Sequence, residues 1–206
     1  MTDHRGSTGV GGRRLGILGG TFDPPHVAHV VMAADVRFAL GLDLVLLVVA
    51  NVPWQKVGSR PVTPAEHRLA MVRAAVAGVE GLAASDVEIR RGGPSYTADT
   101  LAELAAGDPA GQRFLILGAD AAAGLPTWER AERLPALATL VLVDRPGLTC
   151  PPPPPGWEFE RVEIPRLDVS STDVRARLAA GRPIDGLVPP GVVACIRELG
   201  IYGGPR

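Results

Sequence analysis

Four short segments of the chain are apolar almost throughout: Leu15–Leu18, Leu44–Val49, Phe114–Leu117 and Leu140–Val143. A strand without polar positions cannot turn one face to water, so each must be covered on both sides. Helical patterns fill the intervals. Val30, Val31, Ala34 and Phe38 share one face of a helix from about Pro25 to Leu40, and Leu69, Val72 and Val76 mark a second that starts at Thr63-Pro64. A third spans about Thr97 to Ala106, and a fourth runs from Thr127 towards Leu137. The last two cover Ser171–Ala180 and Gly191–Leu199. Val87–Arg90 and Val162–Ile164 complete the expected strands. Alternation of strand and helix predicts an α/β fold built on a parallel sheet.

Length and charge narrow the function. A chain of 206 residues, 46% hydrophobic and 21% charged, buries roughly 70% of its unfolded surface and needs no staples. One domain is expected over residues 13–206. Met1 to Gly12, polar and glycine-rich, reads as a flexible tail and not a signal peptide. A net charge of -1 argues against nucleic acid as partner while leaving room for a local phosphate pocket. The longest apolar run, Leu44 to Ala50, has seven residues, where a membrane span needs about 20. Cys150 and Cys195 cannot form a disulfide framework, which suits a reducing cytosol. They read as a loop thiol and a packed helix thiol. Pro151 to Pro155 reads as an extended surface loop between the last two strands.

The most informative stretch joins the first strand to the first helix: Gly19-Gly20-Thr21-Phe22-Asp23-Pro24-Pro25-His26-Val27-Ala28-His29. Gly19 and Gly20 allow a tight turn and expose bare N–H groups. Asp23 followed by prolines is a helix-start signal. His26 and His29 share a face of the first turns. A helix N-terminus carries about +0.5 charge, so a phosphate there meets N–H groups, the dipole and two imidazoles. The same spacing suits half of a metal site, or two polar residues at a helix start. Zinc is disfavoured because only His4 and His67 remain as further histidines. Neither the Walker A spacing nor the dinucleotide fingerprint is present.

Other segments open helices with polar groups. Ser170 and Asp173 match a capping box, and Ser170, Ser171 and Thr172 with Arg175 also suit an anion site. Ser95 or Thr97 can cap the helix after Gly92-Gly93-Pro94. Asp120 ends the fourth strand, where it can cap the next helix or face a ligand at the switch point of a doubly wound sheet. Trp128 follows Pro126-Thr127, and Lys56 sits in a loop after the second strand.

The segment Gly19–His29 resembles the signature of the nucleotidyltransferase superfamily that shares a histidine-x-x-histidine motif with class I aminoacyl-tRNA synthetases. Its Gly-Gly-Thr-Phe-Asp-Pro-x-His form is similar to the bacterial nicotinate-mononucleotide adenylyltransferases. Ser170-Ser171-Thr172-x-x-Arg175 and Ser95-Tyr96-Thr97-x-Asp99-Thr100-Leu101 resemble that family's later motifs, in the same order. One departure is Ala28, where the family has glycine. The resemblance runs from about Arg14 to Tyr202.

It implies a single doubly wound, Rossmann-like domain and a cytoplasmic enzyme of NAD biosynthesis. ATP and nicotinate mononucleotide would give deamido-NAD and pyrophosphate, with Mg²⁺ riding on ATP and no metal held by the protein. His26 and His29 would contact the α- and β-phosphates. Arg175, Lys56, Ser171 and Thr172 would hold the triphosphate, with Gly19, Gly20, Thr21 and Phe22 as the ATP loop. Asp120 would meet ribose. Ser95, Tyr96 and Thr97 would receive the pyridine carboxylate, and Trp128 would lie against the ring. Arg145 resembles a further family segment near the adenosine side, without a defined role. Two alternatives stand beside this reading. One is transfer to another acceptor, nicotinamide mononucleotide or phosphopantetheine, against which Ser95–Leu101 and Trp128 argue. The other is a non-catalytic nucleotide sensor, against which the two phosphate motifs argue.

Overall fold

The computed structural model describes residues 12–53 and 61–203. Its centre is one sheet of six strands in the order β3-β2-β1-β4-β5-β6, every pairing parallel. The strands are β1 (Arg14–Gly20), β2 (Leu44–Val49), β3 (Leu82–Ser85), β4 (Gln112–Gly118), β5 (Thr139–Asp144) and β6 (Phe159–Glu163). Seven α-helices are described: α1 (Val27–Leu40), α2 (Ala65–Val76), α3 (Val87–Arg91), α4 (Thr97–Gly107), α5 (Ala119–Gly124), α6 (Ser171–Ala179) and α7 (Pro190–Leu199). The strand order reverses between β1 and β4, which is where ligands bind in such sheets.

Side-chain alternation explains why the central strands are apolar throughout. Phe114 and Ile116 of β4, with Val141 and Val143 of β5, join one core beneath Met32, Ala33 and Val36 of α1 and Leu69 of α2. Leu115 and Leu117, with Leu140 and Leu142, join a second core on the opposite face, with Ala98 and Leu101 of α4. Successive residues point to opposite faces, and both faces are covered. A third cluster packs the far side of α2, through Met71 and Ala75, against Val174 of α6 and Val192 and Ile196 of α7. This cluster draws the C-terminal part of the chain towards the beginning of α1, where Val27 N–H donates to the Leu187 carbonyl at 3.0 Å.

Two local expectations are corrected. Val87–Arg90 is helical, not extended; the third strand is the weakly patterned Leu82–Ser85. The Asp86 carbonyl accepts from Arg90 N–H at 2.9 Å, closing that helix. The expected helix from Thr127 to Leu137 is two short 3₁₀ segments, Leu125–Thr127 and Ala131–Ala136. Pro126 and Pro135 lie inside them, and a proline lacks the N–H that continuing an α-helix requires. Cys150 is a loop thiol as expected, and it is buried. Its Sγ donates to the Val143 carbonyl at 3.1 Å. Pro151–Pro155 does join β5 to β6 as a largely exposed loop. Of the tail expected over residues 1–12, all but Gly12 lies outside the described residues.

Candidate active site

A cleft of about 500 Å³ opens at the carboxyl ends of β1 and β4. Gly19, Gly20, Thr21, His26 and His29 line it from the β1–α1 side, Ser95, Tyr96, Thr97 and Trp128 from the side of α4, which packs on the opposite face of the sheet, and Asp120 and Arg145 line it at the β4 and β5 ends. The structure therefore brings ten of the expected site residues into one cavity, together with Ser170 and Arg145.

The glycines act differently from the tight turn expected of them. Both belong to β1, and neither has a positive φ. A Cβ on Gly20 would come within 2.8 Å of the Phe22 ring, whereas one on Gly19 would meet nothing within 4 Å. Gly20 thus makes room for Phe22, and Gly19 leaves the cleft wall bare. Phe22 itself turns inward at φ 52, is 2% exposed, and does not line the cleft. Its ring meets His29 edge-on at 4.9 Å.

His26, rather than Asp23, caps α1. The His26 N–H donates to His29 Nδ1 at 3.1 Å, and the two rings lie 3.7 Å apart. The imidazoles are therefore locked together at the helix start. His26 is buried, and its Nδ1 has no partner among the described residues. Burial lowers its pKa to about 4, helped by the nearby Arg145 guanidinium and opposed by Asp173. His26 is consequently neutral at pH 7 and brings polarity to an anion, not a fixed charge.

The start of α6 comes to the same loop, but its polar groups are used in another way than expected. Ser171 Oγ donates to the Pro24 carbonyl at 2.8 Å, and Arg175 donates to the Asp23 carbonyl at 2.7 Å and to Thr172 Oγ1 at 3.2 Å. Val169 and Ser170 line the cleft; Ser171, Thr172 and Arg175 do not. The cap expected of Ser170 forms, with Oγ accepting from Asp173 N–H at 3.1 Å. The reciprocal half of the box is replaced: Ser170 Oγ donates to Asp173 Oδ2 at 2.6 Å. Lys56 lies outside the described residues.

At the start of α4, neither Ser95 nor Thr97 is the cap; Tyr96 stands at the cap position without a side-chain bond. Ser95 Oγ instead accepts from Asn51 N–H at 2.8 Å, and Ser95 N–H donates to the Val52 carbonyl. Those bonds fasten this loop to the end of β2, and Tyr96 and Thr97 line the cleft. Arg130 packs over the Tyr96 ring at 4.9 Å and pairs with Asp99 at 2.8 Å, so the segment bearing Trp128 is tied to the start of α4. Asp120 is the second residue of α5, whose cap is Gly118, and it faces the cleft.

Two residues escaped the sequence reading. Glu88 lines the cleft, is 7% exposed, and accepts from Thr100 Oγ1 at 2.6 Å. It lay in a segment expected to be a strand. Arg68 is 1% exposed and donates to the carbonyls of Thr63, Thr21 and Asn51 at 2.7, 2.8 and 3.0 Å. An arginine on the apolar face of an expected helix was the available signal.

The cytidylyltransferase-like family model matches residues 17–177. A Corynebacterium kroppenstedtii protein named "probable nicotinate-nucleotide adenylyltransferase" is 46% identical over 192 residues, covering 92% of this chain and 90% of its own. A Roseiflexus protein of the same name is 47% identical over 195 residues, covering 91% and 97%. The chain belongs to the nicotinate-nucleotide adenylyltransferase family. A solved structure with the same architecture is the Plasmodium falciparum nicotinic acid mononucleotide adenylyltransferase complexed with NaAD, at TM-score 0.78 and 18% identity, covering 94% of this chain and 98% of that one. That likeness carries the Rossmann-like nucleotidyltransferase fold to this adenylyltransferase-family chain. No described helix is long and apolar enough to cross a membrane.

Proposed function

We propose that this chain transfers the adenylyl group of ATP to nicotinate mononucleotide, releasing pyrophosphate and forming deamido-NAD. The observation that carries the reading is the shared cleft: the paired imidazoles of His26 and His29 line one cavity with Tyr96, Thr97 and Trp128.

The nucleophile is a phosphate oxygen of the mononucleotide. It bonds to the α-phosphorus of ATP while the bond to the β-phosphate bridging oxygen breaks. Pyrophosphate leaves with that electron pair. The attacking oxygen is already ionised near pH 7, so the step needs no general base and no covalent enzyme intermediate. What remains is alignment and stabilisation of charge. His26 and His29 would contact the α- and β-phosphates at the start of α1. Gly19, Gly20 and Thr21 would lie against the nucleotide, and Asp120 would suit ribose hydroxyls. Tyr96 and Thr97 would offer N–H groups to the pyridine carboxylate, on a loop that Ser95 fastens to the end of β2, with Trp128 against the ring.

Phe22, Ser171, Thr172 and Arg175 support this arrangement from behind, through the loop that presents the imidazoles. Lys56 is proposed to reach the triphosphate. Among the described residues no group of three or more His, Cys, Asp or Glu side chains could hold a metal ion. A Mg²⁺ accompanying ATP would take its ligands from phosphate and water, as that ion prefers. ATP and a soluble mononucleotide as substrates fit a cytosolic enzyme.

The deciding experiment measures pyrophosphate release from ATP with nicotinate mononucleotide, nicotinamide mononucleotide and phosphopantetheine side by side. Preference for the nicotinate acceptor is expected. Preference for phosphopantetheine, or nucleotide binding with no turnover on any acceptor, overturns the reading.

A further inference from the structure

The turn that leads to His26 is held from the opposite end of the chain. Asp23, three residues before His26, is 1% exposed. Tyr202, 179 residues later, donates its hydroxyl to Asp23 Oδ1 at 2.6 Å. The backbone route to that contact is unusual. α7 ends at Gly200 with φ 61, and Tyr202 itself adopts φ 62, a conformation that residues with a Cβ rarely hold. The chain thus doubles back and delivers the phenol to the loop. Burial and the neighbouring Asp23 carboxylate push the phenol above its ordinary range, which keeps the hydroxyl a donor.

The same turn is gripped at its backbone, by Arg175 on the Asp23 carbonyl and Ser171 on the Pro24 carbonyl. On one side of Asp23 is Phe22, whose buried ring abuts His29. On the other are Pro24 and Pro25, each with a fixed φ, and then His26. Few soft torsions separate the carboxylate from the imidazoles, so a shift at Asp23 is passed on to them.

We propose that Tyr202 is a positioning residue for adenylyl transfer: its hydroxyl fixes the Asp23 carboxylate and thereby sets where His26 and His29 enter the cleft. This rests on the reading that those imidazoles act on the triphosphate. Tyr202 touches no substrate in this scheme. It acts through the loop, and so affects the rate more than the affinity.

The test is Tyr202→Phe in the full chain, which keeps the ring and removes the donor. Turnover is expected to fall about tenfold, as misplaced reacting groups require, with KM for both substrates within about threefold of wild type. The imidazole NMR signals of His26 and His29, assigned through His26→Gln and His29→Gln, are expected to move while the melting temperature stays within a few degrees. Asp23→Asn retains an oxygen that can accept from Tyr202, so it is expected to keep more turnover than Asp23→Leu. Wild-type turnover in Tyr202→Phe overturns the proposal. So does a rate loss with the imidazole signals unmoved, or one that matches the unfolded fraction. If the wild-type enzyme transfers no adenylyl group, the functional reading fails, and the imidazole shifts alone still decide whether Tyr202 positions the pair.

Discussion

Arg68 holds the carbonyl of Thr21 at 2.8 Å from 47 residues away, beneath the loop that forms one wall of the cleft. The same guanidinium takes the carbonyls of Asn51 and Thr63, so one buried side chain joins the ends of β1 and β2 to the start of α2. Arg68→Met removes these charge-assisted donors and leaves buried acceptors unmatched. A loss of about 3 kcal/mol in unfolding free energy is expected. Arg68→Lys should recover little, because an ammonium cannot fan out to three carbonyls as a planar guanidinium does. Denaturant titration of the three proteins checks both statements; equal midpoints would show that the loops hold without the arginine.

His26 makes stability depend on pH. Its folded pKa is about 4, whereas an unfolded histidine titrates near 6.5. Between those values the unfolded chain binds the extra proton. The neutral ring's contribution is therefore complete above pH 6.5 and is lost as pH falls through 4. The full change is of order 3 kcal/mol. In His26→Gln the slope of stability across that window should flatten. An anion beside the imidazole favours its charged form, so pyrophosphate binding near pH 5.5 should take up a proton in the wild type and less in the variant. Calorimetry in buffers of different ionisation enthalpy reads this directly; equal uptake in both proteins would place the titration elsewhere.

Cys150 shows what a loop assignment leaves open. It precedes five prolines and reads as a loop thiol. In the fold its Sγ donates to the Val143 carbonyl, and burial with the Asp144 carboxylate nearby pushes its pKa up to about 11. The thiolate is the reactive form, so Cys150 should be alkylated far more slowly than an unstructured thiol at pH 8. Peptide mapping after a timed exposure to iodoacetamide measures the rate. Rapid modification of Cys150 in the folded protein would contradict its burial.

What could be read from the sequence follows the range over which each residue acts. The β1, β2, β4 and β5 runs were legible because burial on both faces is written into every position. The His26–His29 pair was legible because its partners lie within one helical turn. Arg175 and Ser171 were seen as anion binders, yet in the fold they donate to the carbonyls of Asp23 and Pro24. Backbone acceptors are identical at every residue, so nothing in the sequence marks which of them a side chain will reach. Glu88 was hidden because Val87-Glu88-Ile89-Arg90 alternates as a strand would, and only the Thr100 contact across to α4 shows why it is buried. Tyr202 and Asp23 meet across almost the whole chain, where no local pattern applies.

The two walls of the cleft should fail differently when altered. Trp128 lines the cleft with Tyr96 and Thr97, where the proposed acceptor ring would lie. Trp128→Ala removes a planar surface for an aromatic ring, a contact worth roughly 1–3 kcal/mol in comparable stacks. KM for nicotinate mononucleotide should therefore rise roughly tenfold or more, with KM for ATP little changed. His29 stands at the start of α1 and locks to His26. His29→Ala should lower kcat by roughly tenfold or more, the scale seen when one donor to a developing charge is removed, with the acceptor KM near its original value. Arg130→Ala, which frees Tyr96 and Asp99 from the segment bearing Trp128, should resemble Trp128→Ala in direction and be smaller in size. Initial-rate kinetics with each substrate varied separately resolves the pattern. If Trp128→Ala raised KM for ATP and spared the acceptor, the two walls would have to exchange their assignments.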